Sequence, residues 1–173
     1  TGAEDCPVTS LAGTFQHHVT ADVAIACWNY WLATQDREWL ETRGWPVLKA
    51  TAEFWVSRVE RTDDGKYHVY NVMGADEWAV NKDDDAYTNG AVKRNLEFAT
   101  AAAKELGLNC PSEWMTIADN IFFGKMADGV TLEHAGYDGA EIKQADVNLL
   151  AFPLKLITDK KQCMKDLAYY STK

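Results

Sequence analysis

The sequence predicts an all-α domain, and three observations carry that expectation. Apolar residues recur at helical spacing through most of the chain. Capping residues, prolines and glycines punctuate the pattern where helices would begin and end. Only one stretch, "DDGKYHVYNVM" at 63–73, favours extended structure.

Taken in order, "TADVAIACWNYWLAT" at 20–34 is apolar almost all round and reads as a buried helix with Thr20 as N-cap. "REWLETRGWPVLKATAEFWVSRVE" at 37–60 gives a second helix. Pro46 suits a helix start after Gly44, and Val47, Leu48, Phe54 and Trp55 are core candidates. Asp64-Gly65 marks a turn between short extended runs. Helix resumes from Tyr87 to Leu106, with Gly107 as its stop. "PSEWMTIADNIFF" at 111–123 follows, with Ser112 as N-cap, then a glycine-bearing loop with Gly129, Gly136 and Gly139. "AEIKQADVNLLAF" reads as helix up to Pro153, and "DKKQCMKDLAYYS" at 159–171 as the last one. About six helices result, and the two long loops between them hold nearly all the unusual residues.

At 173 residues the chain is long enough for one core, and no run approaches the roughly 18 apolar residues of a membrane span. The net charge of −9 disfavours nucleic acid and anionic membranes as partners. Seven Trp and seven Tyr point weakly to a carbohydrate ligand, against the plainer reading of an aromatic core. Cys6, Cys27, Cys110 and Cys163 show no zinc-ligand spacing, and Cys27 is expected as a buried free thiol. No metal or cofactor motif is present. The opening "TGAEDCPVTS" lacks an initiator Met, so residue 1 is expected to be internal to a longer protein.

The acidic loop "MGADEWAVNKDDDAYTNG" at 73–90 is the stretch richest in chemistry. As a calcium loop it fails. Asn81, Asp83 and Asp85 fit the first, third and fifth positions, but Ala86 stands where a glycine must turn and Val92 where a bidentate Glu belongs. Paired carboxyls remain. Glu77 lies beside Trp78, and an apolar ring next to a carboxyl favours its protonated form. The loop "GVTLEHAGYDGAEIKQAD" offers Glu133, and two carboxyls from separate loops can flank a glycosidic bond. On composition alone a merely solvated acidic loop is the commoner outcome.

Several motifs then coincide with one family. "GADEWAVNKDDDAYTN", "EIKQADV", "HVTADVAIACWNYWLATQD" and "AEFWVSR" occur in the family's order over nearly the whole chain. The sequence resembles the catalytic domain of glycoside hydrolase family 65, which contains acid trehalases, α-glucosidases and disaccharide phosphorylases. The resemblance implies an (α/α)6 barrel, a six-hairpin toroid of twelve helices, of which residues 1–173 would form a part truncated at both ends. It implies Glu77 as general acid and Glu133 as general base. Lys143, Gln144, Trp78 and His18 are implied to bind substrate. With Glu133 present, it implies inverting hydrolysis of a small α-glucoside, trehalose-like or kojibiose-like, rather than phosphorolysis. The two carboxyls would then lie roughly 6.5–9.5 Å apart. Disaccharide phosphorylase and non-catalytic sugar-binding helical module stand as the alternatives. The expected partners are a small carbohydrate and either the rest of the barrel or a second copy, and the resemblance favours a secreted or periplasmic setting. Ala75 departs from the family's Pro before Asp-Glu, and "NKDDDAY" is more acidic than the family's Asn-rich version.

Overall fold

The computed structural model describes Cys6 and residues 9–173, and the chain divides into two units. One comprises Thr1–His17, Val69–Gly90 and Phe123–Lys173; the other comprises His18–His68 and Ala91–Phe122. Helix dominates throughout, as the periodicity predicts, with one small hairpin.

In the His18–His68 and Ala91–Phe122 unit, α2 (His18–Thr34) buries Ala21, Ala24, Trp28 and Trp31, three or four residues apart along one stripe. The helix starts before Thr20, which therefore lies within it and caps nothing. Nor is α2 buried all round. Val19, Val23 and Tyr30 fall on the opposite face and are exposed. Next, α3 (Arg37–Trp39) is capped by Asp36, whose carboxylate accepts from Trp39 N–H at 2.9 Å.

From α3 the chain stays helical through a π-turn (Leu40–Gly44) into α4 (Trp45–Arg58). As expected, α4 begins directly after Gly44 with Pro46 in its first turn. Gly44 is itself helical, however, and Trp45 N–H donates to Leu40 O, so the chain does not leave helical conformation before α4. The N–H that Pro46 lacks falls where the wider turn has already shifted the hydrogen-bond ladder. Leu48 and Trp55 are fully buried as expected, joined by Leu40 and Ala52, while Val47 and Phe54 are only half-buried.

The α4 helix ends at Arg58, and the last residue of the expected helix passes into β1 (Glu60–Arg61), just before the expected extended stretch. Within that stretch only β2 (Tyr67–His68) is strand, and it pairs antiparallel with β1. Gly65 takes φ +80 in their turn, a backbone angle that a side chain would strain. The long helix α5 (Ala86–Leu106) has its first turn in the other unit. Val92, Leu96, Ala99 and Ala103 form its buried stripe here, and Asn95 Nδ2 donates to Thr51 Oγ1 at 3.0 Å. It stops at Gly107, φ +71, where Leu108 N–H and Gly107 N–H take the orphan carbonyls of Ala103 and Lys104. In α6 (Glu113–Asn120) Ser112 makes no side-chain cap. Its own backbone is already helical, and its carbonyl accepts from Thr116.

The unit of Thr1–His17, Val69–Gly90 and Phe123–Lys173 contains α1 (Ala12–Phe15), α7 (Asp146–Ala151), α8 (Lys160–Tyr170) and the two long loops. Long-range bonds fix the loops. Val72 and Lys82 exchange backbone hydrogen bonds at 2.8 and 2.7 Å, and Met73 N–H donates to Phe15 O at 2.9 Å. Asp166 on α8 accepts from both Thr131 N–H and Thr131 Oγ1, while Tyr170 Oη donates to Thr131 O. Val69, Val72, Val130, Val147, Leu150 and Leu154 make the apolar core around them.

The helix expected over 140–152 is thus only Asp146–Ala151. Lys143 N–H is drawn instead to Asp76 Oδ1 at 3.1 Å, and the carbonyl of Ala140 to Tyr137 Oη at 2.7 Å. Tertiary partners outweigh a weak local preference. None of the four cysteines is in a disulfide, and Cys27 is half-buried rather than buried. Among the described residues no helix is long and apolar enough to cross a membrane.

Candidate active site

Glu77 and Lys143, 66 residues apart in sequence, meet in the same unit: Lys143 Nζ is in direct contact with Glu77 Oε2. The meeting is set by the backbone. Asp76 Oδ1 accepts from Trp78 N–H, on the far side of Glu77, and from Lys143 N–H, both at 3.1 Å. One buried carboxylate oxygen therefore fixes both residues of the pair. Glu77 and Lys143 themselves remain 47% and 43% exposed, so their attraction is worth at most about 1 kcal/mol and yields readily to a ligand. A cavity of about 360 Å³ opens on the pair, bordered by Ser10, Leu11, Met73 and Trp78. A second cavity, about 230 Å³, lies against Asp76, Trp78, His134, Tyr137 and Glu141.

Trp78 borders both cavities but is 62% exposed. In this unit it does not enclose Glu77 in the apolar cover that the sequence suggests. Gln144 is exposed and borders neither of the two cavities. His18 belongs to the other unit, where its ring Nδ1 lies 2.8 Å from Asp22 Oδ2 on the same helix.

Glu133 is placed quite differently from Glu77. Its side chain is fully buried, and its two carboxyl oxygens accept from the first N–H groups of α7, Asp146 N at 2.6 Å and Val147 N at 3.2 Å. Burial pushes this carboxyl up to about 8 against the pull of those two N–H bonds, and the nearby Asp85 and Asp76 push the same way. Glu133 borders neither cavity. Neither of these two cavities is bordered by both Glu77 and Glu133.

Beneath the Glu77 loop lies an acidic cluster that sequence reasoning did not single out. Asp76, Asp85 and Asp146 are all buried. Asp146 Oδ1 accepts from Asp76 N–H at 3.0 Å, and Asp85 Oδ1 from Thr88 N–H at 2.6 Å. The Asp146 of "KQAD" and Gly74 two residues before Asp76 were the only signals of it. The triplet Asp83 to Asp85 serves the loop itself. Asp83 accepts from Asn71 N–H, and Asp84 from Val69 N–H and Asn89 Nδ2. Among the described residues no group of three or more His, Cys, Asp or Glu is placed to hold a metal ion.

The sequence pattern of the glycosyl hydrolase family 65 central catalytic domain matches residues 5–142. The chain belongs to glycosyl hydrolase family 65. The family 65 relatives include a kojibiose hydrolase of Flavobacterium johnsoniae, 60% identical over 172 residues, and one of Mucilaginibacter mallensis, 54% identical over 172 residues. Each alignment covers 99% of this chain but 25% of the relative, so the chain spans about a quarter of their length. A solved chain assigned as a kojibiose phosphorylase from the human microbiome superposes with a TM-score of 0.73 at 17% identity. That match covers 88% of this chain and 27% of the other, and at such identity it speaks for the fold alone.

Proposed function

We propose that the full-length protein carrying this chain hydrolyses the α-glucosidic bond of a small α-glucoside of the kojibiose type, with Glu77 as the general acid. The observation that carries this reading is the exposed Glu77 carboxyl at the mouth of a cavity, with Lys143 in contact and both backbones tied to Asp76. Lys143 takes the role of a hydroxyl ligand that releases Glu77 when the sugar enters. Hydrolysis, rather than another transfer of the glucosyl group, is supported by the two relatives named kojibiose hydrolase. The (α/α)6 toroid, of which this chain is one part, belongs to the same proposal and is supported by the helical fold of both units.

Glu133 enters with a changed role. A base must reach the attacking water, and a buried carboxyl whose two oxygens hold the start of α7 does not. We assign Glu133 to fixing α7, and place the base of an inverting mechanism outside this chain. Glu133 then no longer argues against phosphate as the nucleophile, so the test must include phosphate. Glucose release from kojibiose and trehalose, measured with and without inorganic phosphate, is expected to be phosphate-independent and faster on kojibiose. Strict phosphate dependence overturns hydrolysis. Glu77→Gln is expected to lower kcat by about 10²–10⁴-fold, the usual worth of a positioned acid. The anomer first released, read by proton NMR, tests inversion.

A further inference from the structure

Two carboxyl oxygens in the interior of the first-named unit have no donor facing them: Asp85 Oδ2 and Asp146 Oδ2. Both residues are essentially inaccessible, at 1% and 0% exposure. Both oxygens also press on one point, the bare α-carbon of Gly74. A methyl group there would sit 1.8 Å from Asp146 Oδ2 and 2.4 Å from Asp85 Oδ2. Two buried carboxylates that close, facing each other with no cation between them, repel strongly; one proton between them turns the repulsion into a hydrogen bond.

We propose that Asp146 is a protonated positioning residue, its Oδ2–H donating to Asp85 Oδ2, and that this bond sets the Glu77–Lys143 pair through Asp76. The connection is continuous. Asp85 is anchored by Thr88 N–H at the start of α5, and Asp146 by its own N–H to Glu133. The other oxygen of Asp146 receives Asp76 N–H, and Asp76 Oδ1 in turn holds Trp78 N–H and Lys143 N–H. Glu77 is thus pinned on both sides by a network whose innermost member is the Asp146 proton. The ionisable groups facing Asp146 are Asp85, Glu133 and Asp76, all acids. Burial and then the Asp85 charge hold its carboxyl well above the usual carboxylate range, which agrees with a retained proton. This inference rests on Glu77 being the acid only for its catalytic consequence; the proton itself stands independently.

The test compares Asp146→Asn with Asp146→Ala in the full-length protein. An amide supplies a hydrogen at the same place without the possibility of losing it. Asp146→Asn is therefore expected to keep kcat and KM close to wild type, and to hold kcat further into the alkaline range. Asp146→Ala leaves Asp85 and Asp76 N–H without their partner. It is expected to lower kcat by about a hundredfold, the scale of a misplaced catalytic group, with KM changed far less. In infrared spectra at neutral pH the wild type should show the band of a protonated carboxyl that is lost in Asp146→Asn, separate from the band of Glu133, which is identified by its loss in Glu133→Gln. That band needs neither activity nor a folded alanine variant. If the wild type lacks it, or if Asp146→Asn falls as far as Asp146→Ala, Asp146 acts as an anion and the proposal is overturned. An active Asp146→Ala with unchanged kcat overturns the positioning role. Should Glu77→Gln leave turnover intact while the infrared band behaves as described, the acid assignment fails and the buried proton remains.

Discussion

Gly74 is glycine because two acids occupy the space a side chain would need. Its substitution by Ala would drive a methyl into Asp146 Oδ2 and Asp85 Oδ2. Neither acid can retreat, since each has its other oxygen held by a backbone N–H. Gly74→Ala is expected to destabilise the protein by about 1–3 kcal/mol, the cost of overpacking a core, seen as an earlier unfolding transition in calorimetry. Glu133 makes the matching case for a functional group rather than a shape. In Glu133→Gln one terminal atom becomes an amide nitrogen, which has no lone pair for Asp146 N–H or Val147 N–H. Leaving one buried donor unmet costs about 1–3 kcal/mol. Faster amide hydrogen exchange at those two residues would report it directly. Unchanged exchange at both would remove Glu133 from its place at the head of α7.

Elements differ in how far local sequence decides them. The long helix α5 is set by its own residues. A buried stripe of Val92, Leu96, Ala99 and Ala103 recurs at helical spacing, and Gly107 supplies the left-handed stop, so its ends fall within a residue of those predicted. In α8 Asp159 accepts from Gln162 N–H at 2.8 Å, a cap written into the sequence three residues ahead of its partner. Asp159→Ala is expected to cost about 1 kcal/mol, read from the denaturant midpoint. Such elements are readable because their causes lie within a few residues. The residues before α7 are not. "EIKQ" has helical spacing, yet Lys143 is held by Asp76, 67 positions away. The same limit applies to the site. Glu77 and Lys143 were identified by family resemblance, and their contact depends on Asp76. The burial of four acids, Asp76, Asp85, Glu133 and Asp146, runs against the rule that such residues stay at the surface. Only the fold can show that the oxygens of each have partners, or a proton, inside.

At the scale of the whole molecule, Glu133 and Asp146 set a pH dependence opposite to that of an ordinary acidic protein. Carboxylates paired in the folded state usually have depressed values and lose their stabilising effect as pH falls. Glu133 is raised instead, from an ordinary 4.5 to about 8, and Asp146 is raised as well. A raised carboxyl binds its proton more tightly in the folded state. Its contribution is therefore complete below about pH 4.5 and is lost as pH climbs through the folded value near 8. The net charge of −9 adds to the trend, because self-repulsion grows as the remaining protons leave. The two causes separate by mutation and salt. Wild-type unfolding temperature is expected to fall from pH 5 to pH 8. Added salt should relieve the part due to surface repulsion, since exposed charges more than about 8–10 Å apart are screened at moderate ionic strength and buried ones are not. The remainder should flatten in Glu133→Gln, which cannot ionise. If the fall survives unchanged in Glu133→Gln at high salt, neither Glu133 nor the surface charge is its source, and Asp146→Asn becomes the variant that must abolish it.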